Sequence, residues 1–372
     1  MKRSDSMIVQ TLFQRKWTLF LATFIIAIIG GLFFKLIHLP IPWLLGPMFF
    51  VFIWAKFFKQ KLYWPSKLRD SAMIIVGYTI GLSFTSATFV QIGHQITSMI
   101  LMTLLLLLFT LIISIVISKI SGIPFPTILI GSIPGGLSQM ITLAEELEDV
   151  DITVVTFLQI SRLMMIIFTV PLFIFSPLFD IHRDGALSST VEHSPNLSNL
   201  FPNIIVFAVV CTLFAILGKR INFPTAFLLG PMLATIILNL SGIHGPSLPS
   251  FILDCSQLMI GGYIGLLLKP ENMKNKLKIS ILAIGSGIVL LSFSFGLSIL
   301  LTHLHSMNTV TSMLSLSPGG MDQMAIIAKE AHGDMSVIMC YQLFRTLFIF
   351  IAVPYLLKFI FNRMNVRVAD KM

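Results

Sequence analysis

The sequence predicts an all-α polytopic membrane protein made of two inverted repeats, with about 10 transmembrane helices and two broken or re-entrant Pro-Gly-Gly segments. Three observations predict it. Hydrophobic residues make up 56% of the 372 residues and charged residues 11%, outside the globular range. Apolar runs long enough to cross ~30 Å of hydrocarbon recur along the chain. The second half of the chain also repeats the first.

The first run, 17–37, follows Lys2, Arg3, Arg15 and Lys16. It is too long for a signal-peptide core and lacks a small-residue cleavage site, so it reads as the first span. Runs at 41–56, 71–92, 97–118, 125–144 and 152–178 complete a membrane repeat over 17–179. A polar linker, 180–200, follows. The second repeat, 201–362, has runs at 203–218, 224–240, 251–268, 279–301, 309–328 and 336–361.

At a constant offset of 184 residues, "LLGPM" (44–48) falls on "LLGPM" (228–232), Asp70 on Asp254, Gly77 and Gly81 on Gly261 and Gly265, and "PGG" (134–136) on "PGG" (318–320). Gln139 and Met140 then match Gln323 and Met324. After one lost residue, Asp151, Gln159, Arg162 and Pro171 match Asp334, Gln342, Arg345 and Pro354. Such a register arises by duplication.

The net charge of +9 gathers in short loops such as 55–70 and 269–278, as the positive-inside rule expects of cytoplasmic flanks. No helix-turn-helix or zinc pattern accompanies it, so nucleic acid is not an expected partner. The basic loop after the second segment of the first half has no basic counterpart in 239–250, while 269–278 is basic where the first half has only 93–95. Opposed biases are what inverted repeats require. A re-entrant path for each PGG segment gathers the basic residues on one side better than twelve full crossings, and a fully crossing broken helix is the other topology. Both termini are expected in the cytoplasm and the chain in a bacterial-type inner membrane. Cys211, Cys255 and Cys340 lie in apolar segments without metal or disulfide spacing.

Proline removes an amide hydrogen and two glycines weaken the helix, so each PGG predicts two half-helices meeting at mid-depth. Free amides of the second half-helix suit an anion, and carbonyls freed from the first suit a cation. Pro134, Gly135, Gly136, Ser138 and Gln139, with Pro318, Gly319, Gly320 and Gln323, therefore form a candidate solute site; packing kinks are the other reading. Gln159 and Arg162 share a helical face, as do Gln342 and Arg345. A guanidinium that deep marks a binding group or a buried ion pair with Asp322, Asp70 or Asp254. Asp322, whose repeat partner is Ser138, is the candidate coupling residue. Asp70 and Asp254 are expected as helix N-caps, the GxxxG spacings as close-packing sites, and the LLGPM segments as a second kinked element. Glu145, Glu146, Glu148, Asp149 and Asp151 form an acidic loop, solvated or cation-attracting. His303 and His305 join no ligand set at helical spacing, and no Walker motif is present, so neither metal catalysis nor ATP-driven work is expected.

"PWLLGPM", "GSIPGGLSQM" and "SLSPGGMDQMAIIAKE", in a duplicated chain of this length, resemble the AbrB-type integral membrane protein family over about residues 20 to 360. That resemblance implies two AbrB duplication domains. Members are labelled ammonia monooxygenases, regulators of gene expression or transporters, and they are unrelated to the soluble DNA-binding AbrB regulators. A more distant likeness joins 133–173 to the broken-helix region of bile-acid-symporter-like transporters, which implies a fully crossing broken helix. Ser138-Gln139 here replaces the Ser-Asn pair of those transporters, a departure within the region that carries their sodium-binding role.

The expected function is secondary, non-ATP transport of a small anionic solute, with no enzyme activity, cofactor or metal. The alternative is a membrane-embedded regulator of gene expression acting through a partner without net transport. Expected partners are the lipid bilayer and a solute with proton or cation coupling; homo-oligomerisation stays open.

Overall fold

The computed structural model describes residues 2–57, 62–136, 140–141, 143–144, 150–176, 203–221, 223, 225–267 and 276–369. Among them are thirteen helices and no strand. In chain order these are α1 (Lys2–Leu36), α2 (Pro42–Phe57), α3 (Ser66–Leu82), α4 (Ser86–Ser121), α5 (Phe125–Ser132), α6 (Ile152–Ile174), α7 (Asn203–Arg220), α8 (Ala226–Leu240), α9 (Ser250–Leu267), α10 (Lys276–His305), α11 (Thr309–Leu316), α12 (Met321–Glu330) and α13 (Met335–Ala369). Seven are long and apolar enough to cross a membrane, and α2 and α8 are shorter apolar helices. Exposed side chains on α4, such as Leu101, Leu104, Leu108, Ile112 and Ile115, recur every three or four residues along one face. A stripe of that size is stable against lipid and a liability in water.

The third segment expected at 71–92 does not exist as one helix. Its first part lies in α3, the chain leaves helix over 83–85, and α4 begins at Ser86. The departure is held by side chains of α13: Ser336 Oγ donates to the Ser83 carbonyl at 2.7 Å, and Ser83 Oγ lies 3.2 Å from Met335 sulfur.

The chain forms two compact units, and each draws on both sequence repeats. One comprises Met1–Leu82, Pro171–Leu217 and Phe227–Lys269; the other comprises Ser83–Val170, Gly218–Ala226 and Pro270–Met372.

In the first unit α1 packs on α2, and α9 packs on α2 and α3. Contacts there are reciprocal across the duplication. A Cβ on Gly77 would strike the Leu228 carbonyl, and a Cβ on Gly261 would strike the carbonyl of its equivalent, Leu44. Gly46 meets Gly30, and Gly230 meets Phe214, the equivalent of Gly30. The GxxxG faces thus seat the LLGPM helices backbone to backbone, with Pro47 and Pro231 inside α2 and α8. Replacing Gly77 or Gly261 by Ala is expected to destabilise the protein by about 1–3 kcal/mol, because a carbonyl cannot swing aside as a side chain can. Thermal unfolding of the detergent-purified protein checks it.

Asp70 and Asp254 are not N-caps. Each is the fifth residue of its helix, inside α3 and α9, and Asp70 is paired with its neighbour Arg69 at 2.7 Å. The helices start a turn earlier than expected, at Ser66 and Ser250, directly after Pro65 and Pro249.

In the second unit α4 packs on α5, α10 and α13, and α11 packs on α10 and α13. Both PGG segments lie in this unit. Reciprocity holds here too: Gly135 would meet Met140 and Ile349, whereas Gly319 would meet their equivalents Met324 and Ile166.

Candidate functional site

Each PGG segment is a broken helix. Helix α5 ends at Ser132 and α11 at Leu316, and both C-caps, Ile133 and Ser317, are extended, with ψ of 128° and 127°. The chain re-enters helix at Met140, whose amide bonds the Gly136 carbonyl at 3.0 Å, and at Met321 in α12. At 1.5 Å per residue, α5 and α11 each rise about 12 Å and α12 about 15 Å. That is roughly half of a ~30 Å hydrocarbon layer, which puts the breaks near mid-depth of any such layer they enter.

A helix end away from water needs partners for its last carbonyls. At the first break, Gln159 Nε2 donates to Ile130 O at 2.8 Å and Ile133 O at 3.0 Å. Arg162 Nη1 donates to Ser132 O at 2.7 Å and Ile133 O at 3.1 Å, and Arg162 Nη2 to Gln159 Oε1 at 2.6 Å. The second break repeats this. Gln342 Nε2 donates to Leu314 O at 2.7 Å and Ser317 O at 3.1 Å, and Arg345 donates to Leu316 O, Gly319 O and Gln342 Oε1.

All four side chains are at least nine-tenths buried. The cation that the freed carbonyls attract is therefore a guanidinium of the protein itself, set against the negative end of the half-helix dipole. Two polar atoms in this arrangement keep no hydrogen-bond partner: Arg162 Nε and Arg345 Nε.

Pro134 and Pro318 are buried, and Gly135, Gly136, Gly319 and Gly320 half-buried. Asp322 and Gln323 are buried in the first turn of α12. Ser138 and Gln139 lie outside the described residues, as do Glu145, Glu146, Glu148 and Asp149. Asp151 is exposed, and its carboxylate accepts from the amides of Thr153 and Val154 at the start of α6.

Sequence reading passed over the hydroxyls. Thr127 Oγ1 accepts from the Asp151 amide, and Thr311 Oγ1 from the Asp334 amide, both at 3.1 Å. Ser294 Oγ donates to Leu316 O at 2.8 Å, and its equivalent, Thr110, lines a small pocket at the first break with Gly131, Ser132, Arg162, Ser286 and Gly287. Their signal was available: each of these polar residues recurs at the offset of 184 inside an apolar run.

The family model described as "Transition state regulatory protein AbrB" matches residues 43–361. A protein of Escherichia coli (strain K12) named "Putative regulator AbrB" is 27% identical over 339 residues, covering 90% of this chain and 94% of its own length. "Uncharacterized protein YhjN" of Bacillus subtilis (strain 168) is 25% identical over 239 residues, 61% of this chain and 62% of its own length. No solved structure matches.

Proposed function

The chain belongs to the AbrB family, and from that premise and the geometry of the two breaks we propose that it is a secondary transporter of a small anionic solute. The observation that carries the reading is the pair of buried guanidinium groups, one at each break, each with an Nε–H that has no hydrogen-bond partner. Charges held in a low-dielectric interior are costly. An anion offsets that cost and gives the Nε–H groups an acceptor. Reciprocal contacts support a two-fold relation between the repeats, which we take as inverted, with the solute site formed by the two discontinuous helices. Asp322, absent from the first break, is assigned the coupling proton or cation. The proposal includes no catalytic step and no cofactor, and places both termini in the cytoplasm.

The test is thermal stabilisation of the detergent-purified chain against small anions, amines and cations across pH, followed by flux in proteoliposomes. Stabilisation by an anion that disappears in Arg162→Gln and Arg345→Gln is expected. Full transport in either variant would sink the site.

A second reading draws on the printed name of the E. coli relative, a regulator. In it the same site binds a solute and a partner reads the bound state. Binding that depends on both arginines without any flux would favour it.

A further inference from the structure

The second break has a polar pair that the first does not repeat, since Ser138 stands where the second has Asp322. Gln323 Nε2 donates to Asp322 Oδ2 at 2.8 Å, and Gln323 and Asp322 are 3% and 8% exposed. Both side chains fold back over the start of α12, where a Cβ on Gly320 would meet Gln323 Oε1 and Asp322 Oδ1. The N-cap, Gly320, offers that helix end no side-chain hydrogen bond. Gln323 Oε1 is buried and has no hydrogen-bond partner. On the adjacent residue, the Gly319 carbonyl accepts from Arg345, whose Nε is the uncommitted donor.

The chemistry of the pair sets its orientation. An ionised carboxylate only accepts, so it must hold the amide by its NH2, and the oxygen is left as the open face. A protonated carboxyl gains an O–H that needs an acceptor, and Gln323 Oε1 is the unpartnered one on the same residue pair. The amide torsion is broad and two-fold, so the side chain can turn to take that bond. Among the described residues, Arg345 from α13 is the charged group bonded at this break; α11 carries none, and Lys329 and Glu330 lie at the far end of α12.

We propose that Gln323 Oε1 is a hydrogen-bond acceptor for the solute, open only while Asp322 is ionised, and that the solute is a small carboxylate carrying an O–H or N–H donor. Its carboxylate meets the Nε–H of Arg345 and its donor meets Gln323. Proton uptake by Asp322 moves no electrons: one proton leaves bulk water for Asp322 Oδ, and its O–H then occupies Gln323 Oε1 and displaces the donor of the solute. This inference rests on the transport reading and names its solute class and coupling ion.

Two measurements on the purified full-length chain test it. The first is the acid-minus-alkaline infrared difference spectrum, which needs no solute. A carboxyl carbonyl band that disappears in Asp322→Asn is expected, accompanied by a glutamine amide shift that disappears in Gln323→Leu. Protonation of Asp322 with a silent amide, or no protonation across the folded range, overturns the switch.

The second is binding of matched probes, lactate against propionate and alanine against propionate, extended to homologues of up to about five carbons. The donor-bearing member is expected to bind roughly tenfold tighter at alkaline pH, with the preference lost in Gln323→Leu and in acid. Equal binding within pairs, or binding by none of the donor-bearing acids, overturns the solute class. Arg345-dependent flux with a silent amide overturns this inference alone; flux indifferent to Arg345 removes the reading beneath it.

Discussion

Arg345→Gln is expected to abolish solute movement, and Arg162→Gln to do the same, while Arg345→Lys keeps the charge and still loses most of the activity. The reason is the division of labour within the guanidinium. Its Nη groups serve the Leu316 and Gly319 carbonyls and Gln342 Oε1, and Nε is the nitrogen with no partner, left for a solute. Lysine supplies a point charge without the planar fork and cannot serve the cap and the solute at once. Stability is expected to move less than activity. Losing the Gly319 and Gln342 bonds costs about 1–3 kcal/mol per unsatisfied buried acceptor, but Ser294 still serves Leu316 O, and removing a buried charge offsets part of the loss. Proteoliposome flux beside thermal unfolding separates the two effects. Intact flux in a folded Arg345→Gln protein would leave the arginine as a helix cap only.

Much of this architecture was legible because duplication writes each constraint twice. The offset that aligned the LLGPM and PGG motifs also aligns Gly77 with Gly261 and Leu228 with Leu44, and those pairs meet reciprocally. The helix breaks were legible because Pro-Gly-Gly has few ways to remain helical. The partners of the arginines were harder to read. A deep guanidinium suggested a carboxylate, yet its hydrogen bonds run to backbone carbonyls, which every residue carries and no sequence pattern marks. The spacing of Gln and Arg by three residues held the clue, since it puts an amide and a guanidinium on one helix face opposite the break. The end of α3 at Leu82 was hidden for a similar reason: Ser83 is held by Ser336 and Met335, some 250 positions away in sequence. The two compact units were also out of reach of segmentation, because each gathers its helices from both repeats.

Gln342→Leu is expected to cost about 3 kcal/mol or more, and Gln159→Leu a similar amount, although neither residue carries charge. Every polar atom of the Gln342 amide is committed: its NH2 bridges the Leu314 and Ser317 carbonyls, and its oxygen accepts from Arg345. Leucine fills the space but leaves buried carbonyls and part of a guanidinium without partners, each worth about 1–3 kcal/mol. Gln342→Glu discriminates between packing and hydrogen bonding, because a carboxylate keeps the shape and the bond to Arg345 but cannot donate to either carbonyl. Glutamate is therefore expected to be destabilising as well. The equivalent substitutions at 159 should track those at 342, since the bonds match residue for residue, whereas changes at Asp322 have no counterpart because the first break has Ser138 at that position. Thermal unfolding of the four single variants measures this directly. Matched losses at 159 and 342 would mean that the breaks share one structural cap, and that what separates them chemically lies in the turn after the glycines. A large loss at one and none at the other would show that only one break is held by its glutamine.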